Sequence, residues 1–135
     1  MKVILDTNVI FASFAARGLT HSVFEFCIHK HTIIISNHIL EELKKAFLEK
    51  LTLPLDHINQ ILEFLKDICI IEESADIKGI KCRDKNDLPI LGLAKKSKPD
   101  FIITGDNDLL VLKNFQKIPI VSPRGFWQLQ KQIKT

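Results

Sequence analysis

Cysteine is scarce in this chain and poorly spaced for chemistry. Cys27, Cys69 and Cys82 are odd in number and form no CxxC pair, which argues against a disulfide framework or a thiolate metal site. They read as two small buried apolar side chains and one loop thiol. Long apolar runs are missing too, since nothing approaches the ~20 residues of a membrane span. The first residues lack the basic, apolar and small-residue order of a secretory signal, because Asp6 interrupts it. A reducing cytoplasm, with no membrane contact, is the expected setting. Repeats, low-complexity tracts and internal linkers are absent, so residues 1–135 are expected to form a single domain. Neither sign of charge dominates. A formal charge of +3 and a pI near 8.8 permit contact with nucleic acid without demanding it.

What is present suits an ordinary folded core: 46% of residues are hydrophobic and 26% charged. Short apolar or β-branched runs at 1–5, 32–35, 69–71, 101–104 and 118–121 read as strands. Between them lie helical periods. Ser36 opens one that runs to about Lys50, with Ile39, Leu40, Leu43 and Phe47 inward and Lys44, Lys45 and Lys50 outward. Asp87 opens another, and Pro89 fits its first turn. Strand and helix alternate throughout. This pattern predicts an α/β fold with a central, mostly parallel five-stranded sheet and helices on both faces.

Four acids stand out by placement. Asp6 follows the strand KVIL, Asp106 follows FIIT, Asp87 heads a helix, and Glu42 borders the buried stripe of the helix after Ser36. Open parallel sheets bind ligands beyond the carboxyl ends of their strands, so the four are expected to converge there. Carboxylates crowded together repel one another. A hard divalent cation, Mg²⁺ or Mn²⁺, relieves that repulsion and serves phosphodiester hydrolysis. No histidine or cysteine is spaced for a softer metal. His38 begins the helix that carries Glu42, but no catalytic role is assigned to it.

The segments DTNV at 6–9, SNHILEEL at 36–43, RDKND at 83–87 and TGDNDLL at 104–110 occur in the order of a known family. From about Lys2 to Gln128 the chain resembles the PIN-domain nucleases, in particular the prokaryotic subgroup of toxin components of toxin–antitoxin pairs. The resemblance implies a Rossmann-like fold and a metal-dependent endoribonuclease. It assigns the acidic quartet to Asp6, Glu42, Asp87 and Asp106. It adds Asp108 as a further metal position, and Asn8 and Thr104 as polar groups orienting the first and last carboxylates. Asp84 is the alternative to Asp87 if the loop register slips. An RNA substrate, an antitoxin protein and homodimerisation are implied in the same way.

Phosphate contacts are expected from Arg17 and Arg83, with Lys85 beside them, and Phe14 is the candidate for base stacking. Trp127 reads as core or dimer contact. Other readings are a PIN nuclease that processes RNA without being a toxin, and a catalytically silent PIN interaction module. A phosphatase of the haloacid-dehalogenase type also begins with a strand ending in Asp, but it needs a second Asp where this chain has Asn8.

Overall fold

Val3, Ile4 and Leu5 have no exposed surface, as expected for a strand covered on both sides. In the computed structural model, which describes residues 1–76 and 87–133, they belong to β1 (Lys2–Leu5) at the middle of a sheet. β2 (Thr32–Ile35) and β4 (Phe101–Ile103) flank β1, both parallel to it. The register sets Ile4 opposite Ile34 on one side and Ile102 on the other. β3 (Ile70–Ile71) extends the sheet beyond β2, and β6 (Ile118–Val121) extends it beyond β4, again parallel. Cys82, Arg83, Asp84 and Lys85 lie outside the described residues, so the expectations placed on them have no structural counterpart.

The sheet has six strands among the described residues rather than five. The additional one is β5 (Asn114–Phe115), which pairs antiparallel with β6. Its two-residue link, Gln116 and Lys117, carries φ of 49° and 70°. Tight hairpins need positive φ at both central positions and normally signal it with Asn or Gly. Gln-Lys gives no such signal, so the hairpin was invisible in the sequence.

Seven helices complete the described fold: α1 (Thr7–Ala15), α2 (Leu19–Lys30), α3 (Asn37–Lys50), α4 (Leu55–Ile68), α5 (Leu88–Ser97), α6 (Asn107–Leu110) and α7 (Pro123–Ile133). None of the described helices is long and apolar enough to cross a membrane. Ser36 caps α3 as its spacing foretold, its hydroxyl accepting from the Ile39 amide at 3.2 Å. α1 packs against α2 and α3, and α3 against α4. Gly92 on α5 lets the chain after β3 come close. A Cβ there would collide with the Ala75 carbonyl oxygen, whereas Ala75 N–H donates to the Gly92 carbonyl at 3.0 Å. Cys27 and Cys69 are buried and unpaired, and burial pushes each thiol up to about 12. Both behave as small apolar side chains.

Phe47 of α3 is fully buried. It meets Phe11 at 5.5 Å and Phe14 at 6.0 Å between ring centroids, pinning α1 to α3. Phe47→Ala is expected to cost about 3–5 kcal/mol of stability through transfer and cavity terms. Urea unfolding measures this, and a loss below about 1 kcal/mol would mean that this aromatic cluster is not the joint between the two helices.

Candidate metal centre

The chain leaves β1 toward β2 and β3 on one side of the sheet and returns through β4 and β6 on the other. At this switch point the ends of β1 and β4 lie side by side beneath an open crevice, the usual ligand position of such sheets. Asp6 follows β1 directly. Its backbone N–H donates to the Ile103 carbonyl at 3.0 Å, extending the β1–β4 pairing by one residue. The side chain caps α1, so the positive end of that helix faces the carboxylate.

Asp6 is only 7% exposed, and a buried charge needs hydrogen-bond donors. It has three. Oδ1 accepts from the Thr7 amide at 2.7 Å, and Oδ2 accepts from the Thr104 hydroxyl at 2.8 Å and the Asn8 amide at 3.1 Å. Burial nevertheless holds its pKa above the ordinary carboxylate value. The bonds from Thr104 and Thr7 oppose that rise, and the charges of Glu42 and Asp106 add to it. Asp6 therefore sits where an anion is costly, held by donors and pressed by neighbours of the same sign.

The donors also tie the two strand ends together. Asn8 Oδ1 accepts from the Gly105 amide at 2.9 Å, and Thr104 Oγ1 accepts from the Asp106 amide at 3.0 Å. One asparagine and one threonine thus fix the loop after β4 against the start of α1. Asp106 in turn caps α6, its Oδ1 accepting from the Asp108 amide at 2.9 Å. Glu42 enters from α3. Its Oε1 accepts from the Thr7 hydroxyl at 2.8 Å and lies 3.4 Å from His38 Nε2. Asp87 stands before α5, buried, and its side chain makes no capping bond.

Asp6, Glu42, Asp87 and Asp106 line one cavity of about 300 Å³, together with Thr7, Asn8, Phe11, Ala46, Lys50 and Ile90. Asp108 stands outside that lining but beside it. One carboxylate oxygen each from Asp87, Asp106 and Asp108 lies within 4.8 Å of the others. Asp6 and Glu42 are not part of this tightest trio. The donor set is all oxygen, which suits a small hard dication better than a thiophilic one. A small hard cation shared by the three carboxylates would offset their mutual repulsion.

Arg17, expected at this crevice, borders a small separate cavity instead. Phe14 does not face the acids either. It packs against Phe24 at 5.5 Å and against Phe47. The aromatic ring in the cavity wall is Phe11, one turn earlier on the same helix. Trp127 packs edge-on to Phe26 at 5.8 Å. Lys50, read as an outward solvated charge, lines the acidic cavity with its Nζ 5.4 Å from the Phe11 ring centre. Such an exposed cation–π contact is worth about 0.5–1 kcal/mol. Glu42, Ala46 and Lys50 are four and eight residues apart, one face of a helix. That spacing was the available signal for Lys50. For Thr7 the only signal was its place between Asp6 and Asn8.

A model of the PIN domain matches residues 2–108. No curated protein matches. Among solved structures, a chain of the crystal structure of VapBC2 from Rickettsia felis bound to a DNA fragment from their promoter is similar in fold. Its TM-score is 0.64 at 17% identity, covering 90% of this chain and 98% of that one.

If the acidic trio holds a cation, ligand binding must stabilise the fold. Mn²⁺ at about 100 times its dissociation constant is expected to add roughly 2.7 kcal/mol, read as a rise in Tm. Asp106→Asn should abolish the rise. The variant itself should fold, because Asn caps a helix as well as Asp. Its metal-free form should be at least as stable as the wild type, since one charge pressing on Asp6 is gone. Equal Mn²⁺ shifts in both proteins would place the cation elsewhere.

Proposed function

The chain belongs to the PIN domain family, a family of nucleases, and on that premise we propose that it is a Mg²⁺- or Mn²⁺-dependent endoribonuclease acting as the toxin of a toxin–antitoxin pair. The observation that carries the proposal is the meeting of Asp6, Glu42, Asp87 and Asp106 in one cavity at the sheet's switch point, with Asp108 beside them. Asp87, Asp106 and Asp108 would hold a cation, with Asp6 and Glu42 facing it across the cavity. When bound, it would supply charge neutralisation, polarisation of the phosphate and acidification of water.

The chain's own groups do the rest. Thr104, Asn8 and the Thr7 amide hold the Asp6 carboxylate in one orientation, which keeps its oxygens ready without reorganisation at the moment of reaction. Thr7 does the same for Glu42 through its hydroxyl. Phe11, Ala46 and Ile90 give the cavity apolar walls, lowering the local dielectric and strengthening each charge interaction within it. Lys50 offers the cavity lining its cation, a counter-charge for a phosphate otherwise facing four carboxylates.

A phosphatase with a second Asp as general acid is not supported, because Asn8 occupies that place and bridges Asp6 to Gly105. An intact acidic set favours catalysis over a silent interaction module. The family resemblance is what supports an antitoxin protein and a second copy of this chain as partners. A toxin is favoured over a housekeeping RNA-processing enzyme on the same ground.

Labelled single-stranded RNA should be cut internally in Mn²⁺ or Mg²⁺, leaving 5′-phosphate and 3′-hydroxyl ends. EDTA should stop the reaction. Asp6→Asn should slow it about 10²–10³-fold, as loss of one preorganised charged group does. Cleavage that survives both EDTA and Asp6→Asn would reject the mechanism.

A further inference from the structure

His31 stands at the opposite end of the sheet from the acids, just ahead of β2. Its ring lies edge-on to Phe26 of α2 at 5.4 Å and to Phe126 of α7 at 5.8 Å between centroids. Nδ1 is 3.3 Å from the Met1 α-amine, and Nε2 is 3.4 Å from Gln130 Oε1 on α7. An ammonium only donates, so Nδ1 accepts and Nε2 carries the proton donated to Gln130. Only the neutral ring satisfies both contacts. Gln130 is 7% exposed, and its Nε2 has no hydrogen-bond partner among the described residues. Within that set, His31 is the one group that holds the Gln130 side chain.

From this geometry we infer that His31 is a pH-sensitive latch for α7. The neutral ring fastens the helix to α2 and to the start of β1, and protonation lets that end of α7 go. The inference stands apart from the nuclease reading, since no carboxylate of the crevice takes part in it.

Protonation sets an imidazolium N–H against the Met1 ammonium, two like charges with no acceptor between them. Turning the ring away toward water breaks its bond to Gln130, and a buried amide with neither end paired is costly. Water reaches that amide when α7 lifts from α2. Two charges act on His31: the Met1 amine ahead of β1, and Asp100 ahead of β4, whose Oδ2 accepts from the Lys2 amide at 2.9 Å. α2 and α7 meet it with Phe26, Phe126 and Gln130, all uncharged. Burial and the amine hold its pKa below the ordinary imidazole value, while Gln130 and Asp100 oppose the fall. As pH drops, the unfolded chain therefore takes the proton first. The stability that His31 contributes is full above about pH 6.5 and is lost below it.

Trp127 is the single tryptophan. It lies on α7 one turn before Gln130 and packs on Phe26, so its fluorescence reports the latch. From about pH 8 to about pH 5, wild-type emission should shift to the red. The indole should become roughly twofold more open to acrylamide quenching as the helix opens locally. The midpoint should fall below about 6.5. His31→Phe keeps an aromatic ring in place and should lose the transition. His31→Gln, which cannot titrate, should lose it too and serves if the phenylalanine variant fails to fold. His29→Gln should keep it. Acetylating the Met1 amine should raise the midpoint, because the charge facing Nδ1 is gone. A transition that persists in both His31 variants, or a wild-type indole no more open to acrylamide at the acid end, would overturn the latch.

Discussion

Like-charged carboxylates are forced together where β1 and β4 end, and the surrounding hydrogen bonds exist to hold them there. Asp6 shows the balance most clearly. Burial and the charges of Glu42 and Asp106 push its pKa up, against the donors Thr104 and Thr7. Asn8 then bridges from Asp6 to Gly105, and Thr104 from Asp6 to the Asp106 amide. Natural folds keep such locally unfavourable arrangements mainly at functional sites, where rigidity elsewhere offsets the cost.

That rigidity comes from the centre of the sheet. Val3, Ile4 and Leu5 of β1 are buried, and the strand is paired on both sides, with β2 and β4, so Asp6 leaves a strand held on every side. The aromatic cluster of Phe11, Phe14 and Phe47 locks α1 to α3 and so fixes the distance from Asp6 to Glu42. The Thr7–Glu42 hydrogen bond closes the same gap at the surface. Close approach at Gly92 seats α5, which Asp87 precedes. Each acid thus rests on a different element, and packing among those elements makes one site of them.

Much of this could be read from residue order. The placement of Asp6 and Asp106 after apolar strands, and of Asp87 ahead of a proline-bearing turn, foretold which residues would line the cavity. Alternation of strand and helix foretold the parallel sheet, and the PIN family match bears out the resemblance. Less legible were features set by three-dimensional neighbours. The β5–β6 hairpin turns on Gln116 and Lys117, whose left-handed backbone no side chain advertises. Lys50 belongs to the cavity only because α3 presents the same face as Glu42 two turns later. Phe11 and Phe14 are both apolar residues of one helix, and only packing decides which of them faces the crevice. Asp108 joins the tightest oxygen cluster because Asp106 caps the turn that carries it.

Crystals grown with Mn²⁺ and measured at its absorption edge give the most direct test of the convergence of carboxylates on a cation. The account expects an anomalous peak in the crevice, coordinated by oxygens of Asp87, Asp106 and Asp108, with Asp6 and Glu42 facing it. An empty crevice at saturating Mn²⁺, with those side chains turned apart toward solvent, would contradict it.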